Sequence, residues 1–207
     1  MRRCLSPTEY RLAPEHPCPA ALDDAARAYR WMLDRGVAAR DLIICGDSSG
    51  AGLAMSLLLQ LKEQGQPQPA AAILLSPWSD LTASSWPDPR SSETLPMTRD
   101  QALRLAGYYL DGHPADDPLV APLQADLTGL PPLLVQAGTG DPLLPDARRL
   151  TEHARRHGVD VTLELYPVGT HVFHLFWSFL PEAAAALEKV GAFTRRQTRG
   201  GSEHVTA

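Results

Sequence analysis

The sequence lacks the features that mark several large classes of protein. Its 207 residues include three cysteines, Cys4, Cys18 and Cys45, which are too few and too scattered for a disulfide framework or a zinc site. The formal net charge is −5, so no broad basic surface for nucleic acid or anionic lipid is predicted. No apolar run follows the charged start "MRR", and none is long enough to span a membrane. We therefore expect a cytoplasmic protein without a signal peptide.

The patterns that are present predict one compact α/β domain. Hydrophobic residues make up 44% of the chain, which is enough for a sizeable core, and the length suits a single domain. Strand patterns alternate with helical ones along the chain, and this order indicates a mostly parallel sheet with helices on both faces, joined by right-handed crossovers. The predicted strands are "DLIICGD", "AAAILLSPW", "PPLLVQAG" and "DVTLELYP"; the predicted helices cover about 20–35, 50–65, 98–110, 143–158 and 181–196. Thr98 and Gln101 have the spacing of a capping box, and Pro181 suits the first turn of the last helix.

One motif in the chain can present a nucleophile. The stretch "ICGDSSGAGLA" places Ser48 in Gly-x-Ser-x-Gly, between a strand and an apolar helix. The strand is expected to be buried on both faces, with Cys45 as a small buried residue. In that context the motif forms a sharp turn that projects the serine hydroxyl. Gly46 and Gly50 flank the serine, and we expect that side chains at these two positions would clash where the strand and the helix come close together. The helix start favours negative charge, and the N–H of Ser49 is placed to donate to a developing oxyanion.

A nucleophilic serine needs a base, and the base needs an acid that orients it. Asp141 and His171 each follow a later strand, in the order Ser, Asp, His, at the sheet edge where functional groups gather. Two other residues compete for these roles. Asp146 has the simpler explanation of a first-turn carboxylate favoured by the helix dipole. His174, in an aromatic stretch, has the simpler explanation of a core residue.

Several stretches resemble successive signatures of the hormone-sensitive-lipase-like family of α/β-hydrolase carboxylesterases. They are "YRLAPEHPCPAALDDAARAYRWM", "GDSSGAGLA", "SPWSDLT", "DLTGLPPLLVQAGTGDPLLPDA" and "THVFHLF", and they extend from about Tyr10 to Ala192. The resemblance implies that Ser48 is the nucleophile, Asp141 the triad acid and His171 the base. It also implies a serine carboxylester hydrolase that acts through an acyl-enzyme on short-chain esters or lactones. The expected partner is a small-molecule ester, and no metal or organic cofactor is expected.

The chain also departs from that family. Members carry "HGGG" upstream of "YRLAPEHP", and this sequence has no such motif. The resemblance thus implies a fold without the family's first strands and N-terminal cap. Residues 1–207 would form a single, partial domain with a cap-like insertion around 81–113. The oxyanion hole would keep the Ser49 N–H without its other donors. The strand "DLIIC" would have an open edge through which copies could form a homo-oligomer. The alternative function is an impaired or inactive remnant that needs a partner or the missing segment to fold.

Overall fold

The computed structural model describes residues 6–84, 86 and 98–199. Within them the chain forms the predicted alternation of strands and helices. The strands are β1 (Ile43–Asp47), β2 (Ala71–Leu75), β3 (Leu133–Gly138) and β4 (Val161–Tyr166). The helices are α1 (Ala20–Asp34), α2 (Ser49–Glu63), α3 (Arg99–Leu110), α4 (Leu144–Arg156) and α5 (Pro181–Arg199), and short 3-10 helices cover Ala39–Asp41 and Phe173–Phe176. No helix in this described part is long and apolar enough to cross a membrane.

The four strands form one parallel sheet in the order β1-β2-β3-β4. One row of the register runs Cys45, Ile73, Leu134 and Thr162 across the sheet. Because every pair is parallel, the carboxyl ends of all four strands lie at one edge. The predicted fold class, a parallel sheet with helices on both faces in an α/β-hydrolase arrangement, is confirmed.

Two apolar cores enclose the central strands. All five residues of β2 are buried. Successive side chains of a strand point to opposite faces, so both faces of the sheet must be covered at β2. Ala72 and Leu74 pack in the core that α2 and α4 cover, whereas Ile73 and Leu75 pack with Phe193 of α5. Helix α1 packs against α2 through a third cluster that includes Leu22. The sheet is thus held between α2 and α4 on one face and α5 on the other.

Strand β1 is less buried than its apolar pattern predicted. Ile43 and Ile44 are half-buried, and Cys45 is exposed. The prediction that β1 is covered on both faces, with Cys45 as a small buried residue, is therefore wrong. The reason is its position: among the described residues β1 pairs with β2 alone, so it forms an edge of the sheet. Such an edge was expected from the family resemblance.

The ends of α3 and α5 follow from local sequence. The Thr98 hydroxyl accepts from the N–H of Gln101 at 3.2 Å, and the Gln101 side-chain oxygen accepts from the N–H of Thr98 at 2.8 Å. This is the predicted capping box, which satisfies two backbone donors at the start of α3. Pro181 is the first residue of α5, where its missing N–H costs no helical hydrogen bond.

Candidate active site

Ser48 occupies a strained turn between β1 and α2. Its φ of 52° and ψ of −119° are rare for a residue with a side chain. The backbone of Ser48 is held on one side by the end of β2 and on the other by the loop that follows β2. The N–H of Ser48 donates to the Leu75 carbonyl at 2.9 Å, and its own carbonyl accepts from the N–H of Trp78 at 3.0 Å. These contacts stabilise the turn and fix the Ser48 side chain relative to the sheet.

Glycines near Ser48 are required by close backbone contacts, but not at both predicted positions. A Cβ at Gly46 would lie 2.2 Å from the Gly50 carbonyl oxygen, so no side chain fits there. At Gly50 a Cβ would meet nothing within 4 Å, and the predicted clash is wrong for this residue. The second clash belongs to Gly52, whose Cβ would lie 2.6 Å from the Trp78 carbonyl oxygen. The reason is that Trp78, on the loop after β2, contacts α2 at Gly52, two residues after Gly50.

His171 lies between Ser48 and Asp141. Its Nε2 atom is 2.9 Å from the Ser48 hydroxyl oxygen, and its Nδ1 atom is 3.1 and 3.2 Å from the two carboxylate oxygens of Asp141. With the proton on Nδ1, the imidazole donates to Asp141 and accepts from Ser48. The Asp141 side chain is fully buried, and its Oδ1 also accepts from the N–H of Leu143 at 2.9 Å. The structure thus brings together the three residues that the sequence singled out.

The loop that carries His171 crosses the end of the sheet to reach Ser48. Ser48 follows β1 and His171 follows β4, and β2 and β3 lie between these strands. Two glycines, one at the end of β3 and one just after it, allow the crossing. A Cβ at Gly138 would lie 2.5 Å from the Val168 carbonyl oxygen, and one at Gly140 would lie 2.9 Å from the Gly169 Cα. The N–H of Gly140 donates to the Val168 carbonyl at 3.0 Å, which fastens the loop as it passes.

Ser76 is a further contact of this loop that the sequence analysis missed. It directly follows β2, is fully buried and has a φ of 46°. Its hydroxyl oxygen accepts from the N–H of Val172 at 3.3 Å, next to His171. Its own N–H donates to the Gln136 carbonyl at 2.7 Å. The one signal in the sequence is its place, since a polar residue immediately after a buried strand lies at the functional edge of the sheet.

The two competing residues make other contacts. Asp146 is fully buried, and its Oδ2 accepts from the N–H groups of Ser79 and Asp80, each at 3.0 Å. It therefore anchors the loop after β2 to the start of α4. His174 is 4% exposed, and its Nε2 lies 3.1 Å from the side-chain oxygen of Gln136. The expectation that His174 is a core residue is confirmed.

Ser49 begins α2 directly after the turn. It is exposed, and its N–H donates no hydrogen bond within residues 6–84, 86 and 98–199. A free N–H at the start of a 15-residue helix attracts negative charge, because the helix dipole and the unpaired donor point the same way. The arrangement can therefore generate a serine alkoxide equivalent at Ser48 and stabilise an anion beside it.

The chain is similar in sequence and in fold to known esterases. A family described as an alpha/beta hydrolase fold matches residues 3–175. An acetyl-hydrolase from Streptomyces hygroscopicus is 44% identical over 194 residues, which are 93% of this chain and 64% of that protein. A crystal structure of an esterase from the bacterial hormone-sensitive lipase family is 42% identical with a TM-score of 0.88, and one of EstE5 soaked with p-nitrophenyl butyrate is 43% identical with a TM-score of 0.86. The match to each of the two esterase structures covers 92% of this chain and 64% of the other chain. This chain therefore spans 64% of the length of the acetyl-hydrolase and of both esterases.

Proposed function

We propose that this chain, which belongs to the hormone-sensitive-lipase-like family of α/β-hydrolases, is a serine carboxylester hydrolase. The observation that carries the proposal is the contact of one imidazole with both a hydroxyl and a buried carboxylate. His171 reaches Ser48 at 2.9 Å and Asp141 at 3.1 Å, which are distances at which protons transfer. The esterase and acetyl-hydrolase names of the relatives support the same chemistry.

In the proposed acylation step, Ser48 attacks the carbonyl carbon of an ester. His171 takes the hydroxyl proton on Nε2 as the bond forms, and Asp141 stabilises the resulting imidazolium through Nδ1–H. The carbonyl oxygen becomes an oxyanion, to which the Ser49 N–H donates. When the tetrahedral intermediate collapses, His171 gives its proton to the departing alcohol. Ser48 is left esterified with the acyl group.

Deacylation repeats the sequence with water. His171 removes a proton from the water that attacks the acyl carbon, and the same donor stabilises the second oxyanion. His171 then returns the proton to the Ser48 oxygen, and the free acid leaves. Every proton in the cycle is carried by His171, so the chemistry needs no cofactor. The expected substrates are small-molecule esters of short acyl chains, or lactones, which open by the same attack.

The segment around 81–113 is proposed to be a cap-like insertion beside this site. Residues 85 and 87–97 of it lie outside the described residues. In the remainder, Trp86 and Ala102 pack in one cluster with Trp78 and Leu143. Because the Leu143 N–H donates to Asp141, the insertion packs against the loop that carries the proposed acid. Changes in the insertion are thus expected to affect the site as well as the substrate pocket.

A second candidate function is favoured by the open edge of β1. Exposed Cys45 and half-buried Ile44 leave this strand, next to Ser48, without the covering that an interior strand has. A site built on such a strand is less rigid. An oxyanion hole in which the Ser49 N–H is the one donor would also be weak, since losing one donor typically costs about 10²–10³ in rate. The second candidate is therefore a chain that folds fully, or hydrolyses esters, only with an added segment or a partner.

The test is the hydrolysis of p-nitrophenyl butyrate by the 207-residue chain. Ser48→Ala should remove the activity almost wholly, because members of a triad act as a unit. The matched control is Ser56→Ala, which removes a buried serine of α2 whose hydroxyl donates to the Gly52 carbonyl of the same helix. This control should keep the wild-type rate. A wild-type rate that Ser48→Ala leaves unchanged would overturn the proposal, whereas a folded chain without hydrolysis would favour the second candidate.

A further inference from the structure

His174 is a buried polar group that the proposed reaction does not use. It lies three residues after His171, in the 3-10 helix Phe173–Phe176, and is 4% exposed. Its ring stacks on that of Phe173, with centroids 4.0 Å apart, and Phe173 packs on Ala183 and Ala186 of α5. An imidazole in such an apolar layer is costly unless it is hydrogen-bonded. Its one hydrogen-bonding partner among the described residues is Gln136.

The neighbours of Gln136 determine where His174 carries its proton. The side-chain nitrogen of Gln136 lies 2.7 Å from the Glu164 carboxylate and 3.1 Å from the Ala186 carbonyl. Both partners are acceptors, so this end of the amide is the NH₂ group. The amide oxygen then faces His174 Nε2 at 3.1 Å, and Nε2 must carry the proton to donate to it. The remaining nitrogen, Nδ1, is buried and has no partner in the described part of the chain.

We propose that His174 is a positioning residue: as a neutral, Nε2-protonated imidazole it fastens the loop that carries His171 to β3, the strand that leads to Asp141. This inference rests on the proposed function. Gln136 lies on β3, five residues before Asp141, so the base and the acid are located from one strand. The loop is held from β2 as well, because Ser76 accepts from the Val172 N–H. Val172 has a φ of 47°, a strained conformation that persists only where surrounding contacts enforce it.

The surroundings keep His174 neutral. Burial lowers the pKa of His174 to about 4, and the nearby Asp141 carboxylate opposes this shift only in part. The other titratable groups of the network are Glu164, reached through Gln136, and Tyr166, whose hydroxyl donates to Glu164 at 3.1 Å. A second proton on His174 would place an Nδ1–H where the described residues offer no acceptor. His174 is thus a fixed donor at neutral pH and not a rival base.

The test compares His174→Leu with His174→Gln in the 207-residue chain. Leucine removes the donor and keeps most of the volume, while glutamine retains a side-chain N–H for Gln136 and cannot titrate. With p-nitrophenyl butyrate, His174→Leu should lower kcat by about 10–100-fold and keep KM within about twofold of wild type. The reason is that a displaced base weakens stabilisation of the transition state but leaves substrate binding unchanged. His174→Gln should recover most of the loss. A His174→Leu kcat within about twofold of wild type, or equal losses in the two variants, overturns the proposal.

The matched control is His153→Leu. The Nε2 atom of His153 also lies near an oxygen, 2.8 Å from the Ala125 carbonyl oxygen, but His153 is on α4 and not on the loop that carries His171. This control should leave kcat unchanged. A comparable loss in His153→Leu would show that removing any such histidine donor acts through general stability, and would overturn the positioning role.

A spectroscopic readout separates failure of this inference from failure of the proposed function. In NMR spectra of the wild-type chain, the ¹⁵N shifts should show His174 neutral with its proton on Nε2, and His171 should show a downfield Nδ1–H signal from its bond to Asp141. That His171 signal should weaken in His174→Leu and return in His174→Gln. An Nδ1–H tautomer of His174, or a His171 signal unchanged in His174→Leu, overturns the inference even if no esterase activity exists. Should His174→Leu fail to fold, the wild-type tautomer and the His174→Gln spectrum decide the question.

Discussion

The Nε2 atom of His171 lies 2.9 Å from the hydroxyl oxygen of Ser48, a residue 123 positions earlier in the chain. The strands that lead to these two residues are at opposite edges of the four-stranded sheet. With neighbouring strands about 4.8 Å apart, the His171 loop must cross roughly 14 Å of sheet end to make this contact. The contacts along that crossing, at Gly138, Gly140 and Ser76, therefore decide whether the base reaches the hydroxyl.

The crossing at Gly138 predicts a severe effect of a single methyl group. In Gly138→Ala the new Cβ would lie 2.5 Å from the Val168 carbonyl oxygen, so the His171 loop must shift. A displacement of about 1 Å at a catalytic group can cost 10²-fold in rate, and we expect a loss of that order in ester hydrolysis. Gly107→Ala in α3 is the control, because its Cβ meets nothing within 4 Å. It should keep the wild-type rate; equal activity of the two variants would contradict the crossing geometry.

The two carboxylates after β3 should differ sharply in their effects. Asp141→Asn leaves His171 with an amide that no longer stabilises the imidazolium, and kcat should fall by about 10⁴. Asp146→Asn keeps an oxygen that accepts from Ser79 and Asp80, so kcat should change far less, although the melting temperature should fall. Ester hydrolysis and thermal denaturation of both variants test this. Equal losses of kcat would show that the distinction between the two residues is wrong.

Local patterns in the sequence were sufficient for the elements, but not for contacts between distant segments. The Thr98–Gln101 capping box and the start of α5 at Pro181 depend on residues within one turn, and both were predicted. The order Ser48, Asp141, His171 along the chain was enough to select residues that the fold brings together. The exposure of Cys45 depends on which segments cover β1, and the clash at Gly52 depends on Trp78 crossing α2. Neither is written in a local pattern, so the sequence predicted burial at Cys45 and a clash at Gly50 instead.

Burial of His174 predicts that acid weakens the fold. Its pKa is lowered to about 4 in the folded chain from an ordinary value of 6.5. Between these values the unfolded chain binds a proton that the folded chain does not, so stability falls as pH drops from 6.5 towards 4. At about 1.4 kcal/mol per pKa unit, the full loss is on the order of 3 kcal/mol. The measurement is the free energy of urea unfolding across this range.

The His174→Gln variant is the control for that titration. Glutamine does not titrate, so the variant should lose less stability than wild type between pH 6.5 and 4. The difference between the two curves isolates His174 from the carboxylates that protonate in the same range. Parallel curves for the two proteins would contradict the burial of a neutral imidazole at this position.

The open edge of β1 predicts self-association of the 207-residue chain. Within the described residues β1 is paired on one side only, so the backbone N–H and C=O groups of its other side, beside exposed Cys45 and half-buried Ile44, form a template for another strand. Size-exclusion chromatography under reducing conditions should show association that grows with protein concentration. Cys45→Lys should reduce it, because a charged residue on an edge strand opposes pairing. Leu105→Lys, which replaces an exposed leucine of α3 and leaves both edges of the sheet unchanged, should have little effect, and a monodisperse monomer at all concentrations would contradict the prediction.

The most direct test of the account is covalent labelling by an organophosphonate ester, followed by mass spectrometry of the digested chain. An activated serine attacks the phosphorus and keeps the phosphonyl group, while an ordinary serine does not react. We predict a single adduct on Ser48 that disappears in Ser48→Ala and forms far more slowly when His171 is replaced by glutamine. An unlabelled folded chain, or an adduct on Ser49 or another serine in place of Ser48, would contradict the assignment of Ser48 as the nucleophile.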